Sequence, residues 1–331
     1  MALKDIIIRG SDKIGLLDSY AFMRRNITKS QVGILMYHRV SKVDNWSLKP
    51  ESPDNFQMQI EYLCNNYEIL SLGKLVQAIE QGKPLPIKGV IFTFDDGYKD
   101  NYTYAYPILK KHRIPATIFL TTGHIGGENL FWWDKVNYVI HKTLATQISL
   151  DSLGSYSLVS ELDKTYSSLM IVEKLKTLPE ESKNTLIKTL LEISGIDIPH
   201  DLGEKMILSW EEIREMSNDG IDFGAHSVNH PILTKIPLTQ ARWEIKQSRK
   251  DIEEKLGKQI TAFSYPNGNF NLELINIAKS LGFSCAVSVN PKLVSPGADL
   301  YALGRIGTNN DFAKFKVALC GLWGDLGKLT N

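Results

Sequence analysis

Cysteine is scarce in this sequence of 331 residues, which contains only Cys64, Cys285 and Cys320. The three are widely separated and form no Cys-x-x-Cys pair, so neither a disulfide framework nor a cluster of zinc-binding thiolates is indicated. Net charge is also almost absent, because 38 basic residues face 37 acidic ones and leave a formal charge of +1. Such a balance gives no general attraction to nucleic acid, and we expect no nucleic-acid partner.

Long apolar runs are missing as well. No window approaches the roughly 20 apolar residues that a membrane span needs. The first residues, Met1–Ile8, are too short and too charged for the apolar region of a secretory signal, so we expect a cytoplasmic protein. Residues Ile6–Arg25 can form an amphipathic helix, which would either cap the floor of the fold or make peripheral contact with a membrane surface. The same two interpretations apply to Phe312–Leu326.

Short apolar runs rich in β-forming residues recur along the chain and alternate with helical patterns. The runs are Val32–Tyr37, Tyr67–Leu72, Val90–Phe94, Ala116–Leu120, Ile221–Ala225, Ile260–Tyr265, Cys285–Val289 and Tyr301–Ile306. Ser52-Pro53 and a capping box at Ser209 mark helix starts, and glycines such as Gly257 mark helix ends. This alternation predicts an α/β fold with a parallel sheet, and seven or eight strands favour a closed barrel.

One stretch, residues 136–205, breaks this alternation. It is polar and helical in pattern, and none of its runs resembles the β-rich strands, so we predict a helical insertion above the barrel. The barrel itself is then expected to comprise residues 32–135 and 206–310. We expect an N-terminal helical segment at 1–31 and a C-terminal helix at 311–331.

Charged and imidazole side chains follow two of the predicted strands. Asp95 and Asp96 come directly after Val90–Phe94, and His226 and His230 follow Ile221–Ala225. Parallel α/β folds keep their chemistry where strands end, so these side chains are expected at one rim. One carboxylate and two imidazoles suit a divalent metal, with Zn²⁺ first and Co²⁺ or Ni²⁺ as alternatives. The second carboxylate can then serve as a base, a combination that indicates a hydrolase.

The segments Thr93-Phe94-Asp95-Asp96-Gly97-Tyr98 and His226-Ser227-Val228-Asn229-His230 resemble the first two motifs of the polysaccharide deacetylases. This is carbohydrate esterase family 4, built on the NodB-homology domain. The resemblance implies a distorted (β/α)7-type barrel that removes acetyl groups from N-acetylated sugars with a divalent metal. It also implies that Asp96, His226 and His230 hold the metal and that Asp95 is the general base.

The third motif departs from the family pattern. Where the family often has Phe-Arg-x-Pro-Tyr-Gly, this chain has Phe263-Ser264-Tyr265-Pro266-Asn267-Gly268. Ser264 replaces the arginine that would orient the base, and Asn267 replaces a tyrosine whose backbone N–H would face the oxyanion. Asn267 can supply the same group, and we count it and Tyr265 as candidate substrate or oxyanion contacts. Arg305 either orients Asp95 from another side or braces the barrel.

Many members of the family carry a late histidine, in a Leu-x-His motif, that can act as general acid. The last hundred residues of this chain contain no histidine. His38, at the end of Val32–Tyr37, is the remaining candidate at a strand end, since an imidazole there can protonate a leaving amine. Alternatively, His38 bonds only to a neighbouring loop. Trp132 and Trp133 either stack on sugar or anchor a helix to the core.

These features favour a metal-dependent N-deacetylase acting on N-acetylhexosamine units of a glycan or a lipid-linked sugar. Two alternatives stay open at this point. The same residues could hydrolyse another amide, such as a cyclic imide or ureide, or the chain could be a non-catalytic carbohydrate-binding member. The acceptor glycan and the oligomeric state do not follow from the sequence.

Overall fold

Parallel strands form the main sheet of the protein. The structure is a computed structural model, and it describes residues 8–12, 15–16, 19, 30–42, 50–127 and 129–319. The strands are β1 Val32–Tyr37, β2 Glu68–Ile69, β3 Gly89–Phe94, β4 Ala116–Leu120, β5 Gln147–Leu150, β6 Gly154–Ser157, β7 Asp222–Ala225, β8 Ala262–Ser264, β9 Cys285–Val287 and β10 Ile306–Gly307. Strands β5 and β6 form a separate antiparallel pair, and the other eight belong to the main sheet.

The order of strands in the main sheet is β10-β1-β3-β4-β7-β8-β9, with β2 paired to β3. Every pairing in it is parallel, so the carboxyl ends of the strands meet at one rim. A parallel bridge from Val287 in β9 to Leu303, just before β10, brings the two edges of the sheet towards each other. The prediction of an α/β fold with a distorted (β/α)7-type barrel is thereby confirmed.

Helices connect most of the strands. They are α1 Pro53–Asn66, α2 Leu72–Glu80, α3 Tyr106–His112, α4 Trp132–Lys142, α5 Glu161–Thr177, α6 Glu180–Ser194, α7 Leu202–Met206, α8 Trp210–Asn218, α9 Leu238–Leu256, α10 Leu272–Ser280 and α11 Phe312–Leu319. Ser52 accepts from the N–H of Asn55 with Pro53 next to it, and Ser209 forms the predicted capping box with Glu212. Gly257 ends α9 in the left-handed conformation (φ 64°), which a side chain would disfavour.

Several strands are shorter than the sequence suggests, and two of them shrink to two residues each. The predicted run Tyr67–Leu72 narrows to β2, because Ser71 caps the N–H of Lys74 and begins α2. The predicted run Tyr301–Ile306 narrows to β10, because the side chain of Asp299 accepts from the N–H of Tyr301 and holds a turn there. Arg305 therefore lies immediately before the last strand rather than at its end.

The segment between α4 and α7 has its own apolar core. Helices α5 and α6 pack against α4, and buried residues such as Val136, Ile171 and Leu190 lie between them. The β5–β6 hairpin in this segment was not predicted. Its strands are only four residues long, and the buried side chains of Ile148, Leu150 and Tyr156 give too short an alternation to stand out.

The first described residues contact the last described helix. Ile8 packs against Ala313 and Val317 of α11, and Arg9 pairs with Asp311 at 2.8 Å. Most of the predicted amphipathic segment Ile6–Arg25 lies outside the described residues. In the part of the chain that the structure describes, no helix combines the length and the apolar character needed to cross a membrane.

Candidate active site

Asp95 and Asp96 leave the end of β3 in a loop whose backbone is strained. Both residues are 2% exposed, and Asp96 adopts a positive φ of 76°. Six non-glycine residues in the described chain have a positive φ, and four of them, Asp96, Ser227, His230 and Asn267, lie at this rim. Strain of this kind persists where the surrounding structure enforces it and is concentrated at functional sites.

Arg305 binds Asp95 with both of its terminal nitrogens. Nη1 donates to Oδ1 at 2.7 Å and Nη2 to Oδ2 at 2.6 Å, and the arginine is fully buried. The remaining donors go to the Ser264 hydroxyl, the Thr93 hydroxyl and the Ser288 carbonyl. Burial alone would raise the pKa of the Asp95 carboxyl, but the charges and hydrogen bonds around it, those of Arg305 foremost, together hold that pKa well below its usual range.

Ser264 and Arg305 share the space beside Asp95. The Ser264 hydroxyl lies 3.3 Å from Oδ2 of Asp95 and 3.0 Å from Nη2 of Arg305. A guanidinium therefore does contact Asp95, the candidate base. It comes from Arg305, the residue before β10, and not from the third motif. Of the two interpretations of Arg305, the geometry favours contact with Asp95, although its bond to the Ser288 carbonyl also ties it to the barrel.

Asp96, His226 and His230 converge on one point. Nε2 of His226 and Nε2 of His230 each lie 3.5 Å from Oδ1 of Asp96, and the three ligand atoms lie within 4.8 Å of one another. Tetrahedral bonds of 2.0–2.1 Å put neighbouring ligand atoms about 3.4 Å apart. Oδ1 of Asp96 is buried, and no described residue forms a hydrogen bond with it. The three side chains thus fit a small divalent cation.

The protonation states of these ligands also suit a cation. Nδ1 of His226 lies 2.7 Å from the Ser264 carbonyl, which can only accept, so the proton is on Nδ1 and the lone pair of Nε2 faces Asp96. Burial lowers the pKa of His226 to about 4, and it lowers the pKa of His230 well below its usual range. Burial and then the charge of Asp95 raise the pKa of Asp96, so its ionised form requires a nearby positive charge.

Glu244 of α9 holds the loop between the two histidines, a role that the sequence did not indicate. Its carboxylate accepts from the backbone N–H of Val228 at 2.8 Å, the N–H of Asn229 at 2.9 Å and the Asn229 side-chain amide at 2.9 Å. It is 1% exposed, and Ser227 supports the same loop by accepting from the N–H of His230. The sequence pattern that could have indicated this role is the position of Glu244 on the buried face of α9, between Ala241 and Ser248.

His38 lines the same pocket as Asp95 and the histidines, directly after β1. Its carbonyl accepts from the side chain of Asn101, which fixes the backbone there. Burial lowers its pKa below the usual value, and Asp95 only partly opposes this. Burial therefore opposes protonation of His38 near neutrality, and its role as general acid stays a prediction.

Tyr265 and Asn267 both line the pocket but differ in what they can offer. The backbone N–H of Tyr265 donates to the Val287 carbonyl at 3.1 Å, and its hydroxyl donates to the Tyr301 carbonyl at 3.1 Å. What Tyr265 presents to the pocket is therefore its ring. Asn267 is exposed and has a positive φ of 57°, which turns the backbone sharply at this point.

Trp132 and Trp133 stand on the other side of the pocket, at the start of α4. Trp133 is buried, donates its indole N–H to the Tyr98 hydroxyl at 2.8 Å and meets the His230 ring at 4.7 Å edge to face. It thus packs behind a candidate ligand. Trp132 is partly exposed, unlike Trp133, and the Lys183 ammonium lies over its ring at 5.0 Å.

Nine of the ten predicted site residues line this pocket. The tenth, Arg305, does not line it but contacts Asp95. A buried carboxylate–imidazole centre beside an ionised aspartate, at the strand ends of a curled parallel sheet, defines a barrel-fold hydrolase. The sequence profile of the polysaccharide deacetylase family matches residues 82–286, which is more than half of the chain. The chain belongs to the polysaccharide deacetylase family.

Several relatives are similar over most of the chain. YxkH of Bacillus subtilis, named provisionally as a polysaccharide deacetylase, is 24% identical over 84% of this chain and 71% of its own length. The poly-β-1,6-N-acetyl-D-glucosamine N-deacetylase of Staphylococcus epidermidis is 25% identical over 86% of this chain and 81% of its own. The structure of the Streptococcus pyogenes deacetylase PplD in complex with acetate superposes with a TM-score of 0.59 at 22% identity, covering 86% of this chain and 95% of that one. This last likeness concerns the fold.

Proposed function

We propose that the protein is a metal-dependent N-deacetylase that removes acetyl groups from N-acetylhexosamine units of a glycan or a lipid-linked sugar. The observation that carries this proposal is the convergence of Asp96, His226 and His230 beside Asp95, whose carboxylate Arg305 keeps ionised. The S. epidermidis relative, named as a poly-β-1,6-N-acetyl-D-glucosamine N-deacetylase, supports N-acetylglucosamine as the sugar.

Asp96, His226 and His230 would hold the metal, with Zn²⁺ preferred and Co²⁺ or Ni²⁺ as alternatives. A bound divalent ion polarises the amide carbonyl and makes water a better nucleophile, which an unreactive acetamide requires. Asp95 accepts the proton of the attacking water, and Arg305 fixes the orientation of that carboxylate. Because Arg305 is fully buried and makes bonds on several sides, the Asp95 oxygens hold their direction without rearranging during the reaction.

The remaining steps fall to residues around the pocket. The backbone N–H of Asn267 would stabilise the negative charge that develops on the carbonyl oxygen. His38 would pass a proton to the leaving amine, and burial lowers its pKa, which makes the protonated imidazole a stronger acid. The partly exposed ring of Trp132 offers an apolar face to the sugar, while Trp133 keeps His230 in place from behind.

Release of acetate by the purified protein tests the proposal. N-acetylglucosamine oligomers, nucleotide sugars and lipid-linked sugars would be compared with cyclic imides as substrates. We expect acetate only from N-acetylated sugars, loss of activity after chelation, and recovery with Zn²⁺. Hydrolysis of imides alone would overturn the choice of substrate, and sugar binding without release of acetate in the metal-loaded protein would identify a carbohydrate-binding member.

We also propose the domain limits given above, with a deacetylase barrel at 32–135 and 206–310 and an insertion at 136–205. The separate apolar core beneath α5 and α6 supports this division. A cytoplasmic location with peripheral contact to a membrane surface belongs to the same proposal. Fractionation of cells that express the full chain would test it, and recovery of the protein only in the culture medium would overturn it.

A further inference from the structure

The insertion forms one wall of the pocket. Val172 and Lys176 of α5, Leu178 after it, and Glu180 and Lys183 of α6 all line the space above the candidate metal ligands. The opposite side consists of strand-end residues of the barrel. The candidate centre therefore lies between two layers of the molecule instead of at the bottom of an open rim.

A hydrogen bond joins this wall to the barrel. Nζ of Lys235, an exposed side chain, donates to the carbonyl of Lys176, in the last turn of α5. That carbonyl is one of the groups that a helix leaves without an internal partner, and the negative end of the helix favours a cation there. The bond therefore links a lysine of the barrel to a backbone carbonyl of the insertion. It joins the loop that follows His230 to the inserted helices.

The part of the wall that α6 contributes is also held in place by side-chain contacts. Lys183 is 4% exposed, pairs with Glu180 at 2.6 Å and lies over the ring of Trp132 at 5.0 Å. The cavity that remains has a volume of about 140 Å³. Pockets that take drug-sized ligands measure about 300–1,000 Å³, so this one has room for little more than a single sugar unit.

We infer that the protein deacetylates a terminal residue of its glycan, which it receives end-on, and that Lys235 is a specificity-determining residue. This inference rests on the proposed function. A polymer that lies along a groove must leave the site at both ends, and in this inference the α5–α6 wall and the Lys235–Lys176 contact lie across one of them. The chain end must then occupy the cavity.

The position of the deacetylated unit in β-1,6-linked N-acetylglucosamine hexamers, read by tandem mass spectrometry, tests this directly. We expect terminal deacetylation to exceed internal deacetylation at least tenfold per residue, and Lys235→Ala to lower that ratio at least threefold. Lys174→Ala is the matched control, because its Nζ donates to the Leu153 carbonyl within the insertion. Equal deacetylation of internal units by the natural protein would overturn the inference, and an unchanged ratio in Lys235→Ala would overturn the role of Lys235.

A binding experiment distinguishes a failure of this inference from a failure of the proposed function. The Zn²⁺-loaded Asp95→Asn variant would be titrated with oligomers of one to six units, with tryptophan fluorescence as the signal. A chain-end pocket predicts that affinity stops rising after about two units, whereas a rise with every added unit would overturn it. A plateau together with no acetate release by the natural protein would refute the deacetylase proposal and still support end-on binding.

Discussion

Arg305 reaches Asp95 across 210 positions of sequence and binds both oxygens of its carboxylate. Neither group is exposed beyond 3% of its side chain. A buried ion pair of this kind is stable only when its partners are well aligned and the remaining donors are bonded, and here Thr93, Ser264 and Ser288 complete the shell. The pair therefore sets both the charge and the direction of the proposed base.

The first prediction concerns Arg305→Lys. A lysine keeps the positive charge but loses the two parallel bonds, so Asp95 becomes misdirected and its pKa rises. We expect kcat/KM to fall about 100-fold and the acid limb of its pH profile to move to higher pH. Steady-state rates of acetate release between pH 4.5 and 8 would measure both effects. An unchanged profile would show that Arg305 only braces the barrel.

The double variant Ser264→Arg with Arg305→Ser is the matched test of position. It returns the guanidinium to the third motif, next to the same Asp95 oxygen that Ser264 now faces. We expect it to be at least tenfold more active than Arg305→Ser alone. Equal activity of the two would mean that the barrel cannot accept an arginine at 264.

The second prediction separates the two aspartates. Asp96→Asn removes a candidate metal ligand and should abolish Zn²⁺ binding, whereas Asp95→Asn should leave binding within about threefold and lower kcat by about 10²–10⁴, the usual contribution of a general base. Metal content after dialysis and acetate release give the two readings. Normal turnover by Asp95→Asn would refute its assignment as the base.

The third prediction concerns Glu244→Gln. The substitution keeps the size of the side chain but weakens its acceptance of three N–H groups from the loop between the histidines. Removing a residue that orients metal ligands lowers affinity about 10–100-fold. We expect that loss in the Zn²⁺ dissociation constant, measured by competition with a chelator.

Glu253→Gln provides the control for Glu244. Glu253 lies on the same helix and accepts from the Arg249 side chain and the backbone N–H of Ile260, away from the two histidines. It should change stability without changing affinity for Zn²⁺. If both variants lost affinity equally, the effect would belong to α9 as a whole and not to the loop.

The fourth prediction is a pH dependence of the metal-free protein. Burial lowers the pKa of His226 to about 4, while in the unfolded chain it returns to its usual value near 6.5. Between these values only the unfolded chain binds the proton, so the stabilisation is present above pH 6.5 and is lost as the pH falls towards 4. The stability advantage of the natural protein over His226→Gln should therefore shrink by about 1.4 kcal/mol per pH unit across this window.

Urea unfolding of both metal-free proteins at several pH values would measure this advantage. His200→Gln is the control, because His200 is exposed and is not one of the residues that line the pocket. It should track the natural protein at every pH. An advantage that stayed constant from pH 6.5 to 4.5 would contradict the neutral, buried state of His226.

The fifth prediction concerns His38→Gln. Because burial lowers the pKa of His38 below 6.5, a role as acid requires kcat/KM to fall as the pH rises through that lowered value. The natural protein should then be more active at pH 5.5 than at pH 7.5. The variant should lack this limb and should lose about 10²–10⁴ in rate. Persistence of the limb in the variant would exclude His38.

Sequence reasoning located the two aspartates and two histidines because strand ends of a parallel sheet meet at one rim. It could not decide whether Arg305 reaches Asp95, since that depends on β10 joining the sheet next to β1. It missed Glu244 because a glutamate on a helix is usually solvated, and only its register with the buried face of α9 sets it apart. It could not foresee that burial lowers the pKa of His38, because the extent of burial is a tertiary property.

The position of Arg305 has a consequence for synthesis of the protein. The ribosome releases Asp95, Asp96, His226 and His230 well before residue 305, and domains fold as their segments emerge. Until β10 pairs with β1, the carboxylate of Asp95 has no guanidinium to hold its charge. A nascent or truncated chain that ends before Arg305 would thus carry every candidate metal ligand and still be inactive. Activity therefore requires that the chain has been synthesised through β10 and that this strand has joined the sheet.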